Sequence, residues 1–366
     1  MIGWAADRLS GVVRTISRAR DLRDRMPPRL SFDDQVDHPP TVFYVTPDLP
    51  SPSGGTRTMY RHVDLLNAAG VAAAVLHERR GFRCDWFTND TRVLAAGQVT
   101  IGPQDLLVVP EWYAIGLDRL PPRARTVIFN QGPYHTFDRV RYDPSRPGAP
   151  YATLPNLAGI LTVSRDAAQL LRCTFPALTV HHARAVIDGN RFRPPATPAG
   201  RRIAYMPRRR AAEREHLFHI LGARGSLAGW ELVPIDGCTE AQTAELMRSC
   251  ALFLSFSERE GFGLPPAEAM ACGCYVVGFT GLGGRDFFDP SYCTPVPESD
   301  LHAYVVAVEE AMHRYEAAPE ALAQAGRAAS ARILGYYHEA GLREDLLGFY
   351  RGVREGALPQ PAERTE

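Results

Sequence analysis

The chain has 366 residues, of which 45% are apolar and 22% are charged, a balance typical of a soluble globular protein with two domains. This composition excludes a disordered or fibrous protein, and no apolar run approaches the roughly 18 residues that cross a bilayer. Forty-one acidic residues balance 41 basic ones, so we expect no field strong enough to bind nucleic acid.

The basic residues are all arginine, because the sequence contains no lysine. GC-rich coding explains this bias without any functional cause. A site that ordinarily uses a lysine ammonium must therefore use a guanidinium here. The seven cysteines are scattered and odd in number, which favours reduced, buried thiols in a cytoplasmic protein.

Residues 1–38 form an arginine-rich leader. Within residues 1–29, apolar side chains follow helical spacing, and seven arginines against three aspartates give a net charge of +4. One interpretation is an amphipathic helix that makes peripheral contact with an anionic membrane, on its inner face. The other is a helix that packs on its own domain.

From Thr41 the sequence alternates between apolar strands and amphipathic helices, which predicts a parallel, doubly wound sheet. We assign residues 39–192 to an N-terminal Rossmann-like domain. Its strands are predicted at 41–46, 71–76, 105–109, 126–130 and 159–163, and its helices at 58–69 and 165–173.

A proline-rich stretch at 193–200 is predicted as a linker, after which the alternation restarts. Residues 193–338 are assigned to a C-terminal Rossmann-like domain, and 339–366 to a last helix that crosses back to the N-terminal domain, with a loose tail. Strands are predicted at 202–206, 231–234, 252–256 and 275–278, and helices at 211–223, 240–250, 265–272, 301–317, 319–333 and 339–353. The fold class is therefore α/β, with two doubly wound domains facing across a cleft.

The most informative segment is residues 257–273, where a buried strand leads through a glycine turn into a helix. Glu260 ends the strand side of the turn, and Glu268 is expected in the first turn of the helix. The free amides of residues 261–264 point into the same space as the helix N-terminus. Carboxylates bind sugar hydroxyls and amides bind phosphate oxygens, so this combination suits a sugar nucleotide.

The string Glu260-Gly-Phe-Gly-Leu-Pro, followed by Glu268-Ala-Met-Ala-x-Gly, resembles the donor-site signature of the retaining GT-B glycosyltransferases of family GT4, the glycosyl transferases group 1. The resemblance implies that Glu260 is a catalytic residue near the reaction centre and that Glu268 binds the ribose hydroxyls. It also implies that the backbone at Phe262, Gly263 and Leu264 holds the sugar and the phosphates.

Two other segments match the family in order. The loop 48–55 follows the first strand, and its Gly54 and Gly55 allow close approach to a diphosphate. Taken alone, it is also compatible with an ordinary glycine turn. Residues 186–194 resemble the crossover between the two domains of the family.

The strand at 202–206 is followed by arginines where the family places a basic pair on the donor diphosphate. Such a pair neutralises charge that develops on the leaving group. Arg208 and Arg209 are the candidates, and Arg214 is a rival for the role of the absent lysine. The alternative is a solvated helix start.

The family also often has a histidine of the N-terminal domain near the anomeric carbon, and His135 is the best match here. Asn130 and Gln131 precede it after a strand, and Glu111 lies in another strand-end loop. These three are candidate acceptor contacts. The alternatives are a structural, hydrogen-bonding histidine and a surface glutamate.

The resemblance implies a retaining hexosyltransferase of class EC 2.4 that needs no metal and no cofactor. A nucleoside-diphosphate sugar is the donor, and a glycan, lipid-linked or small-molecule hydroxyl is the acceptor, in glycan or secondary-metabolite biosynthesis. Three alternatives stay open: a glycoside hydrolase, a GT-B nucleotide-sugar epimerase, and a catalytically inactive sugar-nucleotide-binding partner of another transferase.

Overall fold

A computed structural model describes residues 22–197 and 199–356 of the chain. The described residues form two compact units that alternate along the sequence. Unit 1 contains the residues up to Thr162, Leu171–His181 and the residues from Leu346 onward. Unit 2 contains Val163–Leu170 and His182–Asp345. The chain thus passes into unit 2 at His182, upstream of the predicted boundary between residues 192 and 193.

The membrane-surface interpretation of the leader rests mainly on residues 1–21, which lie outside the described part of the chain. The end of the leader packs on unit 1. The indole of Trp112 donates to the carbonyl of Asp24 at 2.8 Å, and the guanidinium of Arg25 lies 4.2 Å from the centre of the Trp112 ring. Within the described residues, the structure contains no helix with the length and hydrophobicity needed to cross a membrane.

Nine strands belong to the first part of the fold. They are β1 (Ser31–Phe32), β2 (Val42–Val45), β3 (Ala73–His77), β4 (Val93–Ala95), β5 (Thr100–Ile101), β6 (Leu106–Pro110), β7 (Arg125–Asn130), β8 (Leu157–Thr162) and β9 (Val180–His182). Seven of them form one sheet in the order β4-β3-β2-β6-β7-β8-β9, and β1 pairs separately with β5.

Strands β2 and β6 lie side by side in the middle of this sheet. From β2 the chain adds strands towards one edge, and from β6 it adds them towards the other. Pairing is parallel from β4 through β3, β2 and β6 to β7 and β8. β2, β3 and β6 are buried along their whole length, which is typical of parallel strands covered on both faces. The predicted doubly wound sheet is confirmed, and its reversal opens a crevice at the carboxyl ends of β2 and β6.

Eight α-helices lie wholly within the described part of the chain, and residues 22–24 are also helical. The eight are α1 (Gly54–Ala68), α2 (Arg165–Thr174), α3 (Ala211–Ala223), α4 (Glu240–Arg248), α5 (Leu264–Ala271), α6 (Leu301–Ala317), α7 (Pro319–Tyr336) and α8 (Glu339–Glu355). α1 begins before its predicted start at residue 58, because the Ser53 hydroxyl accepts from the Thr56 amide at 3.3 Å and caps the helix at this point.

The last helix completes unit 1. The hydroxyl of Tyr350 lies 2.7 Å from that of Tyr44, and the Tyr44 hydroxyl lies 3.0 Å from Nδ1 of His62. All three side chains are buried. Arg125 also donates to the carbonyl of Val353. The second half of α8 is therefore part of the core of unit 1.

Unit 2 contains a five-stranded sheet in which every resolved pairing is parallel. Its strands are β10 (Gly200–Tyr205), β11 (Glu231–Pro234), β12 (Cys250–Glu260), β13 (Tyr275–Leu282) and β14 (Thr294–Val296). Their order is β11-β10-β12-β13-β14, which reverses between β10 and β12. This confirms the second Rossmann-like sheet and places a second crevice at the carboxyl ends of these two strands.

β12 extends beyond its predicted end at residue 256. After a shift in register, Glu260 pairs with Leu282 of β13. The carboxylate of Glu260 is therefore held on the end of a strand rather than in a loop.

The start of α2 is capped from within unit 2. The Ser164 hydroxyl accepts from the Ala167 amide at 3.0 Å. The carboxylate of Asp286, in the 3-10 helix Gly283–Asp286 after β13, accepts from the amides of Arg165 at 2.7 Å and Asp166 at 3.1 Å. A carboxylate at this position satisfies two amides that lack partners inside the helix.

Candidate active site

Each unit carries candidate residues at the crevice of its own sheet. In unit 2, β10 leads directly into residues 207–210, and β12 ends at Glu260. These two strands flank the point where the strand order reverses. The donor-site candidates of the sequence are thus gathered at the edge where an open α/β sheet binds ligands.

Arg209 and Glu260 form an ion pair at this edge. Nε of Arg209 lies 3.3 Å from Oε1 of Glu260, and their side chains are 56% and 28% exposed. A pair that is this accessible to water contributes little to stability. Both groups can therefore turn to a ligand at small cost.

Arg210 has a different role from its two neighbours. Its guanidinium donates to the carbonyl of Ser257 at 3.1 Å and to Glu213 at 2.9 Å, and it also pairs with Glu298. Its side chain is only 9% exposed and lies 4.4 Å over the ring of Phe279. Arg210 therefore fixes the loop that presents Arg208 and Arg209.

Arg208 is exposed and forms no salt bridge within the residues that the structure describes. Arg214, the predicted rival, is engaged: it donates to the carbonyl of Pro207 and to Glu215 at 2.8 Å, and it is 12% exposed. In this arrangement the guanidinium of Arg214 supports the loop at Pro207, and its phosphate role stays a prediction.

The backbone around Glu260 is strained. Arg210, Arg259 and Leu282 have φ values of 44°, 47° and 74°, in the left-handed region that side chains other than glycine rarely adopt. Such residues cluster where the surrounding structure holds a functional geometry. Gly283 adds a close approach, since a Cβ there would lie 2.4 Å from the carbonyl oxygen of Gly261.

The N-terminus of α5 follows Glu260. Gly263 caps the helix with φ 94°, a conformation that requires glycine. Phe262 is buried against Phe287 and Tyr337, with ring centres 5.1 and 4.8 Å away. This packing fixes the turn, so that the amides of Phe262, Gly263 and Leu264 precede or begin the helix as predicted.

Glu268 lies one turn further into α5 than the sequence suggested. The helix begins at Leu264, so Glu268 is its fifth residue, and the first turn contains no acidic side chain. Glu268 is buried, at 8% exposure. The helix dipole therefore does not explain why a buried carboxylate occupies this position, because the dipole acts mainly on the first turn.

In unit 1, Gln131 connects three of the candidate segments. Its side-chain amide donates to the carbonyl of Gly55 at 3.2 Å, and its backbone amide donates to the carboxylate of Glu111 at 3.0 Å. Gly54 and Gly55 form the first turn of α1, where unpaired amides favour an anion. The crevice of this sheet therefore contains Gly54, Gly55, Glu111 and Gln131 together.

His135 ends the short 3-10 helix Pro133–His135, next to Gly132. Nδ1 of His135 lies 2.8 Å from Oδ2 of Asp138, an arrangement that fixes the tautomer and leaves Nε2 for another partner. Burial raises the pKa of the Glu111 carboxyl, and the amide of Gln131 and the charge on His135 act in the opposite direction. A histidine and a buried glutamate thus lie in the same loop cluster.

Asn130 does not serve as an open acceptor contact. It is fully buried, and its side-chain amide donates to Thr136 at 2.7 Å and to Tyr151 at 2.9 Å. Its side-chain oxygen accepts from the amide of Gly132 at 3.1 Å. Asn130 is a structural residue that shapes the loop leading to His135.

Sequence reasoning missed Asp48. Its carboxylate accepts from the amide of Arg79 at 3.0 Å and lies 2.9 Å from Nδ1 of the buried His77. Nε2 of His77 lies 2.7 Å from the Tyr60 hydroxyl. This network anchors the loop before Gly54, and the only signal in the sequence is the position of Asp48 two residues after the strand predicted at 41–46.

Comparison with known proteins relates the chain to glycosyltransferases. Residues 235–329 match the family model for glycosyl transferases group 1. The chain is also 27% identical, over 241 residues, to an alpha-1,6-glucosyltransferase of Actinobacillus pleuropneumoniae serotype 7 (strain AP76). The match covers 63% of this chain and 69% of that protein. Both findings support glycosyltransferase activity.

Solved structures establish the fold. Sucrose-phosphate synthase from Thermosynechococcus elongatus is similar with a TM-score of 0.62 at 15% identity, covering 87% of this chain and 100% of that chain. The Anabaena protein HepE, in complex with UDP and glucose, is similar with a TM-score of 0.60 at 13% identity, covering 86% and 100%. The fold of the chain is that of the GT-B glycosyltransferases.

Proposed function

We propose that the protein transfers a hexose from a nucleoside-diphosphate sugar to an acceptor hydroxyl, with retention of the anomeric configuration and without a metal ion. The observation that carries this proposal is the Arg209–Glu260 pair, 3.3 Å apart, at the carboxyl ends of β10 and β12. Unit 2 binds the donor, and unit 1 binds the acceptor.

Arg208 and Arg209 act on the donor diphosphate. As the bond between C1 of the sugar and the diphosphate breaks, negative charge develops on the leaving oxygens, and guanidinium groups stabilise it. Because two arginines supply this compensation, the reaction needs no metal. The amides at the start of α5 add donors to the phosphates.

Glu260 binds sugar hydroxyls close to C1, and Glu268 binds the ribose. The acceptor hydroxyl attacks C1 on the face from which the diphosphate departs, through an oxocarbenium-like state. Its proton passes to the departing phosphate oxygen. The protein contributes position and charge compensation, and on the acceptor side His135, Glu111 and Gln131 orient the hydroxyl.

A glucose donor is the first to test. The Actinobacillus relative is named a glucosyltransferase, and the HepE structure contains UDP and glucose. A thermal-shift screen against UDP, GDP, ADP and dTDP sugars identifies the nucleotide, since a ligand at 100 times its Kd stabilises the protein by about 2.7 kcal/mol.

A transfer assay with the selected donor then tests the reaction, with and without acceptor sugars. We expect an α-linked product from an α-linked donor, by NMR of the anomeric proton, and full activity after EDTA treatment. Release of free sugar alone indicates a hydrolase, and an epimerised nucleotide sugar indicates an epimerase. Binding without any turnover indicates an inactive partner, and each of these three results contradicts the proposal.

A further inference from the structure

A groove of about 710 Å³ runs along one face of the sheet in unit 1. Its volume is within the range of ligand clefts, about 300–1,000 Å³. One wall is formed by residues 114–122, in the connection from β6 to β7, and the other by residues 139–155, in the connection from β7 to β8. The acceptor-side candidates Glu111 and Gln131 begin the same two connections, upstream of the residues that line the groove.

The wall at 139–155 exposes an aromatic ring. In the part of the chain that the structure describes, three large apolar side chains are exposed, and the most exposed of them, Tyr142 at 88%, lines this wall. A flat ring open to solvent is a platform for the apolar C–H face of a sugar.

The same wall is positively charged. Arg139, Arg141 and Arg146 line the groove against Asp118 and Asp143. Arg141 and Arg146 are exposed and form no ion pair with any residue in the described ranges. The carboxylate of Asp143 is turned into its own loop, where it accepts from the amide and hydroxyl of Ser145 at 2.9 and 2.7 Å.

The wall has a defined shape. Arg139 and Asn156 have φ values of 66° and 56°, and the side-chain amide of Asn156 donates to the carbonyl of Pro122 at 2.9 Å. That bond ties the two walls together at the end of the groove away from Glu111.

We propose that this groove is an extended acceptor subsite that binds a glycan chain carrying anionic groups, either phosphodiester or carboxylate. The proposal rests on the proposed glycosyltransferase function. Tyr142 stacks on a sugar unit of the chain, and Arg141 and Arg146 pair with its anionic groups. A membrane surface would be the other partner of aromatic and arginine side chains, but a concave groove fits a chain better than a flat bilayer.

Calorimetry on the full chain tests the subsite with three probes of equal length: an oligogalacturonate, a glycerol-phosphate oligomer and a neutral maltooligosaccharide. We expect at least one anionic probe to bind more tightly than the neutral one, and this preference to decrease with salt. The tighter of the two anionic probes distinguishes carboxylate from phosphodiester. Equal affinity for all three probes would overturn the proposal.

Matched variants locate the binding. R141Q/R146Q should weaken the anionic probe about tenfold, since two exposed charge pairs are lost. The control R351Q/R354Q removes two exposed arginines from α8 in the same unit and should bind as the wild type does. Y142A should weaken every probe that binds, whereas Y142F should not. Wild-type affinity in R141Q/R146Q and Y142A would refute the subsite.

Two further measurements separate the alternatives. Loss of binding to phosphatidylglycerol vesicles in R141Q/R146Q and Y142A, with unchanged glycan binding, would assign the loop to a membrane and overturn the proposal. Sugar release from the donor without acceptor should be unchanged in all these variants. If no donor turns over at all while R141Q/R146Q still weakens the anionic probe, the proposed function fails and the subsite stands.

Discussion

The ion pair between Arg209 and Glu260 contributes little to stability because both side chains are open to solvent. Water reaches both side chains, so the pair holds the two groups at the crevice without locking them. Arg210, which is buried among its partners, fixes the loop that carries Arg209. In the proposed mechanism the donor displaces the pair while this loop stays in place.

Glu260→Gln tests the role of the carboxylate. The change removes the charge but keeps the size, so we expect transfer to be nearly abolished and the melting temperature to stay unchanged. Nucleotide affinity should also be nearly unchanged, because the proposed contacts of Glu260 are to the sugar. Wild-type turnover in this variant would exclude Glu260 from the mechanism.

Arg208→Ala and Arg209→Ala test the phosphate contacts. Each charge-assisted hydrogen bond is worth about 1.5–3 kcal/mol, so each change should lower kcat/KM for the donor roughly 10–150-fold. Lysine at either position should restore only part of the loss. If Arg208→Ala, Arg209→Ala and the double variant all keep normal kcat/KM, the loop does not bind the diphosphate.

Arg210→Ala is the matched comparison for these variants. It should lower the melting temperature, because Glu213 and Glu298 lose a buried partner. A variant of Arg208 or Arg209 should not do so. A melting temperature in Arg210→Ala equal to that of the wild type would contradict the anchoring role.

The sequence predicted a group of donor-site candidates that the structure places at the crevice of unit 2, but it did not predict how each side chain is engaged. Arg208, Arg209 and Arg210 are identical in type and adjacent, and only tertiary contacts separate the buried anchor from its exposed neighbours. The burial of Asn130 was not foreseen for the same reason, since its partners Thr136 and Tyr151 depend on how the following loop folds. Side-chain contacts that depend on the tertiary structure cannot be predicted from the local spacing of residues.

At the scale of elements, the ends of helices differed most from expectation. Helix periodicity located α3 and α6 correctly at both ends. The start of α1 and of α5 was displaced because caps set it: Ser53 in one case and Gly263 in the other. For α5 this displacement moved Glu268 into the second turn.

Asp286→Ala tests the cap of α2. The carboxylate accepts two helix amides, so we expect a loss of stability of about 1–2 kcal/mol, measured as a lower urea midpoint. Asp300→Ala is the control, because Asp300 caps α6 through one bond of 2.9 Å to the amide of Ala303. A smaller effect in Asp286→Ala than in Asp300→Ala would contradict the double cap.

At the scale of the whole molecule, the succession of strands in both sheets followed from apolar runs separated by helices. The short strands β1, β4, β5, β9 and β14 were not predicted, because two or three residues carry too little pattern. The boundary between the units was also displaced, since the chain enters unit 2 at His182, before the turn at 189–191 and the prolines that marked the predicted linker.

The buried His62 should make stability depend on pH. Burial, together with Arg61, lowers the pKa of His62 from 6.5 to about 3. The unfolded chain therefore takes up a proton below pH 6.5 that the folded protein refuses until about pH 3. The free energy of unfolding should fall by about 1.4 kcal/mol per pH unit across this window.

His62→Phe should remove this slope, as measured by urea unfolding between pH 7 and pH 4. The exposed His216 provides the control, because His216→Asn should keep the wild-type slope. An equal pH dependence in the wild type and in His62→Phe would show that other groups control acid stability.

The contact between Tyr44 and Tyr350 also has a consequence for the order of events on the ribosome. The two hydroxyls are 306 residues apart in sequence and 2.7 Å apart in space. At about 5–20 residues per second, the strand that carries Tyr44 waits roughly 15–60 s for its last partner to be synthesised. Unit 2 is complete at Asp345, before unit 1, so the half of the protein that is made first is the half that finishes folding last. Until then the apolar surface of unit 1 that α8 will cover is available for binding by a chaperone.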